Sequence, residues 1–503
     1  MKRLTLFCVA LMMWSGGLVL FPSSASAIPA FARRYGVSCS ACHSAWPQLN
    51  QAGWSFMMSG YRRLNGRELT PTTKDVELAA GALSMPAIPP LAIQATLGFD
   101  FQEVRVRASD GTKATRTGSS FDVNELELLA GTPLGRHLSF FLDYELFETE
   151  IENRSGPGEA NETGAGSRRD LTFEGEGPGA PGLAFLIWNS LFPQSIAAPD
   201  SLNILAGVNQ LPLGFSAEHR RVSASPYLVY ERRALHLLSG VPVDDLVPAD
   251  ERDRLFSLSK SQIGVELNGI LLPFGGAMPE AFIVEYHLGI ANGSNNHSDS
   301  NTEKDLFGRI ALRWGGQGQG QVLGVFGYWS PDIYSDDLRR VAPDGAAFDR
   351  NTGDGILAGL GRRNEAYAVG PDLTLSLEPF DIPVWFEAQA LFNHESDPTG
   401  FKKSLSWWGG FGQLNWKIVK SLLAYGRYDW LRAHRFDDTG DGGFTGPVKP
   451  REWQAVGGLQ WYVLENFKLV AEYSRHEYKN SASTPATQKV AEDFFTLRAA
   501  LGF

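Results

Sequence analysis

Three residues near the N-terminus have the types and spacing to do chemistry together: Cys39, Cys42 and His43, in the run Cys39-Ser40-Ala41-Cys42-His43. Two thiols at this separation can reach the two vinyl groups of one porphyrin, and the imidazole that follows is then pinned beneath the iron as proximal ligand. The spacing predicts covalent attachment of one haem c. Two other chemistries use a C-x-x-C pair. A thioredoxin-like dithiol needs a βαβ context, which the short segment before Ala80 does not offer. A structural zinc needs four ligands, and residues 28–90 hold no other His or Cys.

The second axial position is open to several groups. Met57, Met58 and Met85 lie in the same segment, and a thioether opposite histidine raises the potential relative to a second histidine. Met57 or Met58 is the candidate distal ligand. The plainer reading of both is packing, with Trp54, Phe56 and Tyr61, of a short helix against the haem face, since methionine fills irregular gaps well. A histidine from further along the chain, or no ligand, are the other choices.

Haem of this type is attached outside the cytoplasm, and the chain carries the means of export. Lys2 and Arg3 precede an apolar run from Leu4 to Leu20, and Ala25-Ser26-Ala27 offers a small-residue cleavage site. This is the layout of a secretory signal peptide, predicted to span residues 1–27 and to leave Ile28 as the mature start. A retained anchor would need a longer run. Cys8 leaves with the peptide, and two remaining cysteines in a long exported chain make no disulfide framework.

The elements that must position this site follow in two blocks. Residues 28–90 read as a small α-helical haem domain. From Leu91 onward the texture changes to period-two alternation, interrupted by Gly, Pro, Asn and Asp. Phe467, Leu469, Ala471 and Tyr473 point one way, while Lys468, Glu472, Ser474 and His476 point the other. Phe495, Leu497, Ala499, Leu501 and Phe503 repeat the pattern against Thr496 and Arg498. Alternation of this kind marks strands with one apolar face.

A soluble sandwich or propeller and a membrane barrel both fit alternation. Three features favour an all-β transmembrane antiparallel barrel over residues 91–503. The segments run to about 10–15 residues, beyond the usual five or six of soluble sheets. Aromatic pairs such as Trp407-Trp408, Trp461-Tyr462 and Tyr328-Trp329 sit near segment ends, as in interfacial girdles. Phe503 ends an alternating segment, which resembles the C-terminal signal of outer-membrane barrels.

About 16 strands are expected, an even number as bacterial barrels have. Their centres fall at Leu97, Leu126, Phe141, Phe185, Leu205, Val265, Val284, Ile310, Val325, Leu373, Phe386, Gly412, Tyr425, Gly457, Val470 and Leu497. Polar insertions at 151–181, 216–252, 292–304, 333–355 and 434–450 read as extracellular loops, and short turns such as Glu465-Asn466 as periplasmic ones. The mature chain has no uninterrupted apolar run of about 18 residues, so helices are not the spanning elements. A net charge of −11 argues against nucleic acid as a partner. Acidic stretches around Glu145–Glu152 and Asp244–Glu251 could gather cations at a pore mouth; the plainer reading is solvated loop faces or sites for metal ions that bridge lipopolysaccharide.

A haem motif joined to a barrel resembles the fused outer-membrane cytochrome–porin family, the iron-oxidising cytochromes of bacteria that live on ferrous iron. The resemblance spans the mature chain and is specific at its start. There the residues are Ile28-Pro29-Ala30-Phe31-Ala32-Arg33, Gly36-Val37-Ser38-Cys39-Ser40-Ala41-Cys42-His43, Pro47, Leu49, Gly53, Phe56 and Gly60-Tyr61. The barrel resembles porins in general, and Asn203–Gln210 with Pro212, Leu213 and Glu218 is similar to a strand and loop of phosphate-selective porins.

The resemblance implies an outer-membrane cytochrome passing electrons from extracellular Fe(II), through haem, to a periplasmic carrier such as a soluble cytochrome or copper protein. Cys39, Cys42 and His43 match the family's haem residues. Met57 stands where many relatives carry a basic residue, which leaves the potential and the donor open. Two further readings remain: a porin for anions or small solutes plugged by its haem segment, and electron exchange with another donor. If haem is stitched to this thiol pair, a double Cys39→Ala, Cys42→Ala variant loses all covalent haem stain on a denaturing gel while still inserting a barrel; surviving stain contradicts the assignment.

Overall fold

In the computed structural model, residues 30–503 are described apart from 82, 109–110, 112, 152–172, 177–180, 193–197, 218–219, 240–255, 277, 279–280, 296, 298–300, 317, 334–362, 399–402, 437–448 and 480–486. Residues 91–503 form a closed antiparallel barrel. Its strands are β1 (Leu91–Ala108), β2 (Lys113–Pro133), β3 (Leu138–Ile151), β4 (Phe173–Glu176 continued by Pro181–Trp188), β5 (Asn203–Asn209), β6 (Gln262–Leu271), β7 (Ile283–Ala291) and β8 (Asp305–Trp314). There follow β9 (Gln321–Ser330), β10 (Ala366–Ser376), β11 (Val384–Glu395), β12 (Leu405–Val419), β13 (Leu422–Ala433), β14 (Arg451–Leu464), β15 (Phe467–Lys479) and β16 (Thr487–Gly502). The ring contains 17 strand segments, and the two pieces of β4 pair with one edge of β3, which leaves sixteen wall strands. β16 pairs back onto β1 from Thr487↔Ala108 to Gly502↔Gln94, and Phe503 exchanges backbone hydrogen bonds with Ile93 at 2.9 and 2.7 Å. Each of the sixteen expected centres falls within a different strand.

The alternation sorts side chains as a lipid solvent requires. On β8 and β9, Leu306, Ile310, Leu323 and Val325 are exposed on the outside, while Arg309 on β8 is buried within. On β15, Lys468, Glu472 and Ser474 are buried on the lumen side and Tyr473 is exposed. Apolar outside with polar inside inverts a soluble sheet and defines a membrane barrel. The aromatic pairs split accordingly: Trp408, Trp461 and Trp329 are exposed outside, and Trp407 and Tyr328 turn inward and are buried. Only one of two consecutive strand residues can face lipid.

Short connections lie at one end of the barrel, including Lys420-Ser421 and Glu465-Asn466. The long insertions lie at the other. Most of 151–181, 333–355 and 434–450 is outside the described residues. The insertion at 216–252 leaves from the long-insertion end expected of an extracellular loop, but where the structure describes it the chain folds inward. Residues 210–217 and 220–239 form a strap that re-enters the lumen between β5 and β6, with helices α3 (Leu228–Glu231) and α4 (Ala234–Ser239).

The reason is burial. Leu211, Leu213, Phe215, Tyr227, Leu228, Val229, Tyr230, Leu237 and Leu238 are all buried, and each large one would lose roughly 1.5–3 kcal/mol in water. They rest where the inner wall of β11–β13 is itself apolar, on Leu391, Leu405, Trp407, Phe411 and Leu431. Tyr227 stacks on Phe411 at 4.1 Å. A Cβ at Gly409 would come within 2.1 Å of Leu431 and 2.9 Å of Val229, so the strap can approach only a bare backbone there.

Polar latches complete the contact. The Glu472 carboxylate accepts from the Ala224 and Ser225 N–H groups at 2.7 and 2.8 Å, and from the Tyr425 hydroxyl at 2.5 Å. Arg427 donates to the carbonyls of Ser225 and Pro226 at 3.0 and 2.6 Å. Hydrogen bonds to a charged group contribute about 1.5–3 kcal/mol each, so Glu472→Ala should free the strap without opening the barrel. Trypsin cleavage after Arg220 and Arg221 in the detergent-solubilised protein should accelerate at least tenfold while the barrel stays heat-modifiable on a gel; an unchanged rate rejects the latch.

Candidate functional site

Residues 30–90 are more mixed than the helical segment expected. They comprise α1 (Ala30–Tyr35), α2 (Gln51–Met58) and three two-stranded pieces, His43–Ala45 with Gln48–Leu49, Arg63–Leu64 with Arg67–Glu68, and Asp75–Leu78 with Leu83–Pro86. The apolar faces of this segment, Tyr35, Phe56 and Tyr61 among them, pack on Leu183, Phe185 and Leu205 of the barrel. They close against it at the short-turn end. Arg62 donates to the Ser139 hydroxyl at 2.7 Å and the Asn189 side chain at 3.1 Å, and to the carbonyls of Gly135 and Leu138 at 2.8 and 2.7 Å. Arg63 forks onto Asp200 at 2.8 and 3.0 Å. On the far wall the Trp46 carbonyl accepts from Lys468 at 2.9 Å, and Arg313 lies 4.0 Å over the Trp54 ring.

Cys39–Ala41 forms a single 3₁₀ turn, closed by the Cys42 N–H on the Cys39 carbonyl at 3.1 Å. Asn50 holds this turn to α2. Its Oδ1 accepts from the Gly53 N–H at 2.8 Å, capping the helix, and its amide donates to the Ala41 carbonyl at 3.3 Å. The helix crosses the turn so closely that a Cβ on Gly53 would stand 2.2 Å from the Cys42 carbonyl oxygen.

His43 follows in a hairpin with Leu49 opposite. Its Nδ1 lies 3.0 Å from the Pro47 carbonyl and 3.3 Å from that of Gln48. Two acceptors on one nitrogen place the proton there and leave Nε2 as the basic, ligating nitrogen. Burial lowers the imidazole pKa to about 4, so the ring is neutral at physiological pH.

Cys39, Cys42 and His43 line one cavity between the N-terminal segment and the inner faces of β1–β4. The empty space there, including the part that communicates with solvent, is about 1550 Å³. Its walls are apolar and aromatic. Phe31 stacks on Tyr61 at 4.6 Å, Tyr61 approaches Phe141 at 5.9 Å, and Phe141 stacks on Phe185 at 5.7 Å.

Two thiols on one turn, an imidazole with its tautomer set by backbone carbonyls, and a wide apolar cavity fit a haem c. A redox dithiol fits poorly. Burial, then the neighbouring Cys39, raises the Cys42 thiol to about 11, and burial with Glu465 nearby raises that of Cys39, whereas reactive thiols are acidified. Among the described residues no cluster of three or more His, Cys, Asp or Glu could hold a metal ion.

The candidate distal ligands separate. Met57 faces the cavity. Met58, the next residue on α2, turns away and is buried with Trp54, Ile270 and Ile283, so it does not meet His43. Met85 lies on a peripheral hairpin and does not line the cavity. Trp54 leaves the expected aromatic cover for the same geometric reason as Met58, while Phe56 and Tyr61 belong to it.

Residues with no signal in sequence complete the lining: Glu127, Asp143, Arg220 and Glu465. A second, polar cavity adjoins on the lumen side, sharing Leu49, Met57, Phe185, Asn209 and Arg220 with the first. Several of its charges form ion pairs. Glu285 contacts Arg309 and Arg313 at 3.0 and 2.5 Å, Arg309 contacts Asp372 at 2.6 Å, and His287 bridges Glu266 and Glu285 at 2.6 and 2.7 Å.

No family model matches the chain, and no curated protein does. Solved structures with partial likeness are barrels. An anion-selective porin from Comamonas acidovorans is 11% identical at a TM-score of 0.44, over 82% of this chain and 99% of that one. The outer membrane channel DcaP of Acinetobacter baumannii is 13% identical at 0.42, over 82% and 97%. OmpT of Vibrio cholerae is 9% identical at 0.42, over 85% and 100%. Scores below 0.5 carry no argument about this chain, and its own strand pairing defines the barrel.

Gly53 tests the geometry of the site. Gly53→Ala forces the helix off the Cys42 carbonyl at a cost of about 1–3 kcal/mol. Haem bound per mole of protein should fall severalfold, read by pyridine haemochrome absorbance, with barrel yield unchanged; full loading shows that the close crossing is not needed.

Proposed function

We propose that the chain is an outer-membrane electron-transfer protein that accepts electrons from extracellular Fe(II) and passes them through one covalent haem c to a soluble carrier in the periplasm. One observation carries the reading: the C-x-x-C-H turn, an imidazole with Nε2 free to ligate, and an apolar cavity coincide inside the barrel. Bound there, haem supplies a one-electron ferric–ferrous couple. Cys39 and Cys42 would hold it covalently, His43 would ligate the iron, and Met57, which lines the same cavity, is the remaining candidate ligand, with the aromatic walls limiting water. The even strand count and apolar outer face suit the outer membrane of a didermic bacterium, and the expected signal peptide, which lies outside the described residues, suits export.

Fe(II) enters through the family resemblance. Ferric iron precipitates away from strong acid, so oxidation outside the cell keeps the product out of it. The apolar band of such a membrane is about 25 Å tall, and a haem lodged within the barrel divides that gap for an electron.

A second reading is supported by the barrel itself, which has the strand number of porins, and by the resemblance of Asn203–Gln210 to phosphate-selective porins. In it the N-terminal segment plugs a pore for anions or small solutes. The segment at one end and the strap at the other both occupy the lumen, as a plugged pore requires. Stopped-flow mixing of the purified protein with Fe(II), followed at the haem band, should show reduction that Cys42→Ala abolishes. Absence of reduction, together with solute flux into liposomes that changes in Cys39→Ala, would select the porin. A midpoint potential too low to accept electrons from Fe(II) would select another donor.

A further inference from the structure

The strap carries a buried cation whose charge is only partly offset by the described residues. Arg220 lines the cavity of Cys39, Cys42 and His43, and it is the only Lys or Arg among the described residues that does so. Its guanidinium makes no ion pair with a described carboxylate. The polar contacts of this residue are Nη1 to the Met57 sulfur at 2.7 Å and the backbone N–H to the Ser216 hydroxyl at 3.1 Å. A thioether is a weak acceptor, and guanidinium stays charged in proteins. Buried charges are otherwise paired, as Arg309, Arg313 and Arg427 are here. Of the carboxylates lining the cavity, Asp143 attracts Arg220 without a direct ion pair, and burial outweighs that attraction.

We propose that Arg220 binds a propionate carboxylate of the haem, so that the strap is latched onto the cofactor; the inference rests on the haem reading above. Haem chemistry gives the direction. The vinyl groups that become thioethers lie on one side of the porphyrin and the two propionates on the other. The thiol side is at the short turn, where the Cys39 N–H donates to Glu465 at 3.2 Å. Arg220 stands at the boundary with the lumen cavity, beside Met57 and Asn209. The planar fork of guanidinium matches a carboxylate in a bidentate geometry. One end of the strap is thus held by Glu472 on the wall and the other by the haem.

The test uses the full-length, detergent-solubilised protein with Arg220→Gln, Arg220→Lys and Arg221→Gln. Arg221 does not line the cavity; it donates to the Ala217, Ser223 and Ala224 carbonyls, so its variant controls for net charge. Covalent haem stain is read first: a wild type without haem removes the haem reading itself. With haem attached, Arg220→Gln should favour the ferric state about tenfold, a fall in midpoint of about 59 mV for one electron. The propionate bending band in the resonance Raman spectrum should shift, Arg220→Lys should recover most of the midpoint, and Arg221→Gln should match wild type. Wild-type midpoint and Raman band in Arg220→Gln overturn the proposal, as do equal shifts in both glutamine variants. Where Arg220→Gln fails to assemble, the Raman band of Arg220→Lys decides: a shifted propionate mode supports the contact and an unshifted one overturns it.

Discussion

Closure of the sheet is the constraint on which the rest depends. Pairing β16 with β1 satisfies every edge, which hydrocarbon demands because it offers no hydrogen bonds. Sixteen strands then enclose more space than wall side chains alone can fill. Two pieces of the same chain enter that space, residues 30–90 from the short-turn end and the strap from the other. Each brings apolar groups that could not remain in water, and each finds a stretch of inner wall that departs from the usual polar lining.

The inner wall is therefore zoned. Beside the N-terminal segment it offers Phe141, Leu183 and Phe185; beside the strap it offers Leu391, Trp407, Phe411 and Leu431. Between them lies a band of paired charges built on Glu285, Arg309, Arg313 and Asp372. Buried ion pairs are costly to break and seldom strongly favourable to make. Their place here is to let strand positions facing the lumen stay polar while water is largely displaced. Arg220, which makes no direct ion pair with a described carboxylate, differs from this band.

Neither the N-terminal segment nor the barrel builds the candidate site alone. The thiols and imidazole come from a turn held by Asn50 and Gly53, and half of the aromatic cradle comes from strands a hundred residues or more away. Arg62 and Arg63 register the two parts through contacts to Ser139, Asn189 and Asp200. Placement of the thiols and imidazole is thereby tied to the barrel wall.

By itself the sequence determined what local chemistry and periodicity can determine. The C-x-x-C-H spacing, the period-two strands with their sixteen centres, and the two-residue turn at Glu465-Asn466 are short-range facts, written within a dozen residues of each other. It also marked Gly53 and Tyr61 by resemblance, though not why a side chain at Gly53 is impossible. The tertiary structure alone decided which of Met57 and Met58 meets the cavity, since neighbours on a helix point about 100° apart and only docking fixes the face. It decided that residues 220–239 turn inward, because polar residues in that stretch disguise an apolar face whose partner lies on β11–β13. It brought Arg220 to Cys39 across 181 positions of chain (220 less 39), a juxtaposition created by closing the barrel and invisible to any periodicity.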